Sequence, residues 1–132
     1  MSLYREVGLA VIFLWFVCVG ISHFLMTEFF SSLLPDSISM YFAIVYVSGF
    51  IQVVGAVGVL TERYRKLAGN VLCLLTGIFM PSNVYMLLNL ELYSGFSPQF
   101  LLAWVVIQVA LSICTIKFTR SDHQDRILRV SV

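Results

Sequence analysis

Charge is scarce in this sequence. Only 11% of its 132 residues are Asp, Glu, Lys or Arg, against roughly 25% in soluble domains. Hydrophobic residues make up 60% and mean hydropathy is +0.95, so a water-soluble globule is excluded: too few charges remain to cover the apolar side chains. Motifs of self-sufficient chemistry are missing as well, with no G-x-G-x-x-G, P-loop or nucleophile elbow. Only two histidines occur, and His123 lies in the polar C-terminal tail, which rules out bis-histidine haem ligation within a membrane. A metal needs several ligands at one depth, and only His23 with Glu28 comes near that, so no metal is expected. Cys18, Cys73 and Cys114 are scattered singly with no C-x-x-C, which speaks against a structural disulfide or a thiol relay. A net charge of +1 argues against general nucleic-acid binding. No catalytic residue is assigned, so enzyme status stays open; if the chain takes part in catalysis, it borrows the reacting group.

What is present is long uncharged runs. Residues 7–27, 37–61, 67–90 and 92–116 carry no Asp, Glu, Lys or Arg, and each can supply the ~20 residues that cross a ~30 Å hydrocarbon core. The expected fold is all-α: an integral membrane four-helix bundle, antiparallel because its connections are short, in one domain over 1–132. Spans are expected at about 7–26, 40–60, 67–90 and 98–118, with a cytoplasmic tail at 119–132. The first span is too long for a signal-peptide core and is expected to be retained. A short interfacial helix is expected between spans one and two, where Phe29, Phe30, Leu33 and Leu34 share a helical face and Pro35 ends it. Ser97 and Pro98 read as the cap and first position of span four.

The basic residues orient the bundle. Arg5, Arg63, Arg65, Lys66, Lys117, Arg120, Arg126 and Arg129 all fall on one side, whereas the opposite loops hold Glu28, Asp36 and Glu91. The positive-inside rule puts both termini in the cytoplasm, with a bacterial inner membrane as the expected location. Orientation and contact with anionic headgroups account for these basic clusters.

Hydrocarbon offers no hydrogen-bonding partner, so polar side chains within the spans should turn toward protein or a cavity. Helical spacing aligns Phe16, Gly20 and His23 on span one; Ser48, Gln52 and Gly55 on span two; Thr76, Met80 and Asn83 on span three; and Trp104, Gln108, Ser112 and Thr115 on span four. By depth, His23, Tyr46, Ser48 and Asn83 fall in the outer third, with Glu28 near the mouth, and Gln52, Thr76 and Gln108 lie nearer the midplane. Candidate ligand-binding residues are therefore His23, Tyr46, Ser48, Gln52, Asn83, Trp104 and Gln108. Three of them also have a plainer reading: His23 as a histidine bonded to a neighbouring helix, Gln52 and Gln108 as interhelical glue. Pro81 should kink span three, with Ser82 and Asn83 either repairing the freed backbone or presenting a carboxamide to a ligand.

Five segments together carry a resemblance: GISHF (Gly20 to Phe24), Pro35 of SSLLP, YVSGFIQVVGAVGVL (Tyr46 to Leu60), RYRKLAG (Arg63 to Gly69) and MPSNVYM (Met80 to Met86). In this order they resemble the DoxX-like family of small four-helix membrane proteins across nearly all the spans. The resemblance implies a redox-associated membrane subunit, since relatives include a subunit of a thiosulfate:quinone oxidoreductase and a partner in an actinobacterial oxidative-stress complex; distant animal relatives are receptor-assembly chaperones. It points to His23, Ser48, Gly49, Pro81 and Asn83. The sequence departs from it at Gln52, where many relatives carry glutamate; glutamine keeps the hydrogen bonds but cannot exchange a proton. The leading expectation is binding of a quinone or similar lipid-soluble molecule, or anchoring of a redox partner. A scaffold or assembly factor for another membrane protein is the alternative, and a small solute or proton carrier is a third. Homo-oligomerisation stays open.

Overall fold

A computed structural model of the chain describes residues 3–32 and 41–131, with side chains at 30–32, 41, 121–126, 128 and 129 left aside. The described residues are all-helical, with α1 (Leu3–Leu25), α2 (Thr27–Ser32), α3 (Tyr41–Leu60), α4 (Arg65–Leu88), a short 3-10 turn (Leu90–Tyr93) and α5 (Pro98–Val130). Four of these helices are long and apolar enough to cross a membrane, over Leu3–Leu25, Phe42–Leu60, Arg65–Leu88 and Pro98–Arg120. Large apolar side chains such as Phe50 (63% exposed), Leu74 (66%) and Ile113 (62%) stand on their outer surfaces, which only lipid tolerates on this scale. The chain is an integral membrane protein.

The spans match the uncharged runs, with shifts at their ends. Helix α1 begins at Leu3 and α4 at Arg65, earlier than expected, because a charged side chain at a helix end remains helical when it finds partners. Helix α5 continues through the polar tail to Val130, since no glycine or proline interrupts residues 99–130. A short helix does follow span one, as α2; the expectations for Leu33, Leu34, Pro35, Asp36 and the start of span two at Met40 fall outside the described residues, as does the side chain of Phe30.

The turn between α3 and α4 is closed by a buried arginine. Arg65 donates from Nε to the carbonyl of Val59 at 2.7 Å and from Nη2 to that of Leu60 at 3.3 Å, serving carbonyls that a helix C-terminus leaves without intrahelical partners. Arg5, also buried, donates from Nε to the Phe118 carbonyl at 3.4 Å and so ties α1 to α5. Orientation and headgroups thus understate two of the eight basic residues. At the other end, α5 starts as expected, with Ser97 Oγ accepting from the Phe100 amide at 3.1 Å and Pro98 at the first helical position. Ser97→Ala should cost about 1 kcal/mol, read as a lowered midpoint of thermal unfolding in detergent; an unchanged midpoint would mean that lipid-side packing, and not the cap, fixes this end.

Helix α1 packs chiefly on α3 and also on α5, and α4 packs on both α3 and α5. Helices α1 and α3 approach closely at Gly20 and Gly49, where a Cβ on either residue would lie within 3.0 Å of the other's carbonyl oxygen. Gly69 gives α4 the same closeness to Thr119 of α5. The buried apolar core of Leu9, Ile12, Ala56, Val59, Leu72 and Phe118 fills the half of the molecule nearest Arg5 and Arg65. The other half is filled differently.

Candidate functional site

Beyond the core, the four long helices line a partly open cavity of about 80 Å³. Each helix contributes one face: Phe16, Val19 and His23 from α1; Val45, Ser48 and Gln52 from α3; Thr76, Phe79 and Asn83 from α4; Trp104, Gln108 and Leu111 from α5. These spacings of three, four and seven residues are what one stripe of a helix presents. The sequence-derived stripes therefore converge, and the outer and midplane layers are parts of one cavity. Six of the seven candidates line it: His23, Ser48, Gln52, Asn83, Trp104 and Gln108.

Tyr46 does not. It is 46% exposed and stacks on Phe24 at 5.7 Å between ring centroids, on the outer surface of α1 and α3. Depth alone placed it near the site; one residue along a helix rotates the side chain by about 100°, and Val45 takes the inward position. Glu28 is exposed on α2 and lines no part of the cavity. On α4 the inward aromatic is Phe79, with Met80 displaced from the stripe, while Gly20 and Gly55 are consumed by helix contacts to α3 and to Leu72. Sequence reasoning left out Trp15, which lies 5.9 Å from Trp104 between ring centroids; these are the only two tryptophans, and both line the cavity.

The polar groups divide into satisfied and unsatisfied. His23 Nδ1 lies 2.7 Å from the Val19 carbonyl; a carbonyl only accepts, so Nδ1 carries the proton and Nε2 of the neutral ring is an acceptor. Ser48 donates to Val45 O at 2.9 Å and Thr76 to Leu72 O at 2.9 Å, each keeping oxygen lone pairs toward the interior. Helix α4 runs unbroken through Pro81. Asn83, two residues on, donates from Nδ2 to Gln108 Oε1 of α5. Of the two roles considered for Asn83 the bond takes neither: the carboxamide joins α4 to α5 at the cavity wall. Gln108 is interhelical glue as its plainer reading had it.

Gln52 is the exception. It is only 8% exposed, and its Oε1 is fully buried with no hydrogen-bond partner among the described residues. An unsatisfied buried carboxamide oxygen costs about 1–3 kcal/mol, and the residue that carries this one lines the cavity.

Residues 11–119 match the model of a family described as Domain of unknown function (DUF8561). The chain belongs to this family. The DUF8561 match runs from the first half of α1 to Thr119 of α5 and so takes in every residue that lines the cavity. No curated protein and no solved structure matches the chain.

Proposed function

We propose that this DUF8561 protein is a redox-associated inner-membrane subunit of DoxX-like type, an antiparallel four-helix bundle with both termini cytoplasmic, that receives the polar head of a lipid-soluble, quinone-like molecule. The observation that carries the reading is the Gln52 carboxamide, buried without a protein partner on a cavity that four spans build together. The one-sided distribution of basic residues supports the orientation, and the resemblance carried by GISHF and MPSNVYM supports the redox association.

The free group at Gln52 is an acceptor, so it is served by a hydroxyl that donates. A quinol has such a hydroxyl and a quinone does not, which favours the reduced form. Size adds a condition: a cavity of roughly 150 Å³ admits benzene, and this one holds about 80 Å³, so a ring enters only if a lining side chain such as Phe79 yields.

The two cavity tryptophans make the test direct. In nanodiscs, a benzoquinol with a short alkyl tail should quench tryptophan emission saturably, about tenfold more tightly than its oxidised benzoquinone, the ratio expected for one hydrogen bond near 1.4 kcal/mol. Quenching that rises linearly for both forms, as collision in the bilayer produces, would refute the reading. The alternative, a scaffold for another membrane protein, is favoured by α5, whose Leu102, Val106, Val109 and Ile113 stand exposed and could be covered by a partner helix. Affinity capture from native membranes that recovers no stoichiometric partner would remove it.

A further inference from the structure

Between α3 and α4, on the lipid-facing side, runs an open apolar groove of about 400 Å³. Its walls are Ala43, Val47 and Ile51 from α3 and Leu75 and Ile78 from α4, and its surface is almost wholly apolar. On its own such a groove would be filled by whichever bilayer chain is nearest. Of the remaining lining residues, however, Ser48 and Phe79 also line the interior cavity. The groove and the cavity are therefore neighbours that share Ser48 and Phe79, and Gln52, whose Oε1 has no partner among the described residues, lines the cavity one helical turn from Ser48.

We propose that the two spaces form one binding site for a single-tailed amphiphile, its compact hydroxyl-bearing head in the cavity on Gln52 and its tail in the α3–α4 groove, entering sideways from the bilayer between Ser48 and Phe79. This rests on the reading of the cavity as a head-group site and adds the tail's location and the route. The chemistry of each part selects its occupant. The Ser48 and Thr76 hydroxyls spend their protons on their own helices, so together with Gln52 they offer acceptors to a donating head. The groove offers no hydrogen bond, and apolar chains leave lipid for it without a hydrophobic gain. Selectivity must therefore come from the head, and occupancy of the groove should depend on a side chain that does not touch it.

That dependence is the test. Protein in nanodiscs is photolabelled with a long-chain primary alcohol carrying a mid-chain diazirine, and in parallel with the matching diazirine alkane at the same mole fraction, and adducts are mapped by mass spectrometry. The alcohol should label Val47, Ile51, Leu75 and Ile78 at least threefold more than the alkane does. Gln52→Leu should abolish that excess without lowering labelling of outward residues such as Leu74 and Ile113, and Val47→Phe, which obstructs the groove, should abolish it as well. Equal labelling by alcohol and alkane overturns the proposal, as does an excess that survives in both variants. Butan-1-ol, a head with almost no tail, separates the two levels: a saturable, Gln52-dependent change in tryptophan emission with no excess labelling in the groove removes the tail site and leaves the cavity reading standing. No response to butan-1-ol and no excess labelling removes both.

Discussion

Gly49→Val is expected to leave little folded protein. A Cβ at residue 49 would stand 2.8 Å from His23 Cβ and 2.9 Å from the Gly20 carbonyl oxygen, and on the facing helix a Cβ at Gly20 would meet Gly49 O at 3.0 Å. One obstacle is backbone, which cannot rotate away, so α1 and α3 would have to separate along their most extensive contact. Overpacking typically costs about 1–3 kcal/mol and more when the neighbours cannot move, and in lipid no hydrophobic force would draw the separated helices back. An equilibrium unfolding measurement in mixed micelles should show the folded fraction collapsing. Gly77→Ala is the contrast: nothing lies within 4 Å of an added Cβ there, and helix propensity alone favours the change by up to about 1 kcal/mol. Comparable losses from both substitutions would show that the Gly20–Gly49 contact is not what holds α1 to α3.

Gln52→Leu should move stability and binding in opposite directions. Leucine is close to glutamine in volume and has no carbonyl to leave unpartnered, so the variant should be more stable than the parent by about 1–3 kcal/mol, the cost of an unsatisfied buried acceptor. The same change removes the group to which a hydroxyl head donates and should weaken quinol binding by about tenfold or more, a loss of about 1.4 kcal/mol. Unfolding midpoints and tryptophan-quenching titrations on one preparation give both numbers. A variant less stable than the parent would mean that Gln52 is a packing residue with a structural partner, and the case for a ligand would lose its main support.

The four spans were legible because charge is excluded from hydrocarbon, a rule that acts residue by residue and leaves its record in the sequence. That record ends where lipid ends. Arg65 lay outside span three by the charge criterion, yet it belongs to α4, since its guanidinium reaches back to the carbonyls of Val59 and Leu60. Likewise the polar residues after Phe118 end the apolar run without ending the helix.

The site was legible to the extent that helical period fixes direction. His23, Ser48, Gln52, Asn83, Trp104 and Gln108 were identified because inward stripes recur at three, four and seven residues. Tyr46 was included on depth, which says nothing about rotation, and it faces outward beside Phe24. Asn83 and Gln108 could be named but not paired, because the bond depends on how far apart α4 and α5 stand at that depth. The unpartnered state of Gln52 was invisible for the same reason: Asn83, Gln108 and Ser48 all lie on neighbouring stripes, and only distance reveals that none of them serves it.

The uneven filling of the molecule, with Ile12, Val59 and Leu72 fully buried at the basic end and a hollow at the other, makes the protein mechanically asymmetric. Like tongs gripped at the handle, the helices are held where the apolar core packs, and any widening needed to admit a larger guest falls to the part of the molecule farther from Arg5 and Arg65. Motions there would leave the end that carries Arg5 and Arg65 undisturbed, so loading could not be sensed at that end through these four helices alone.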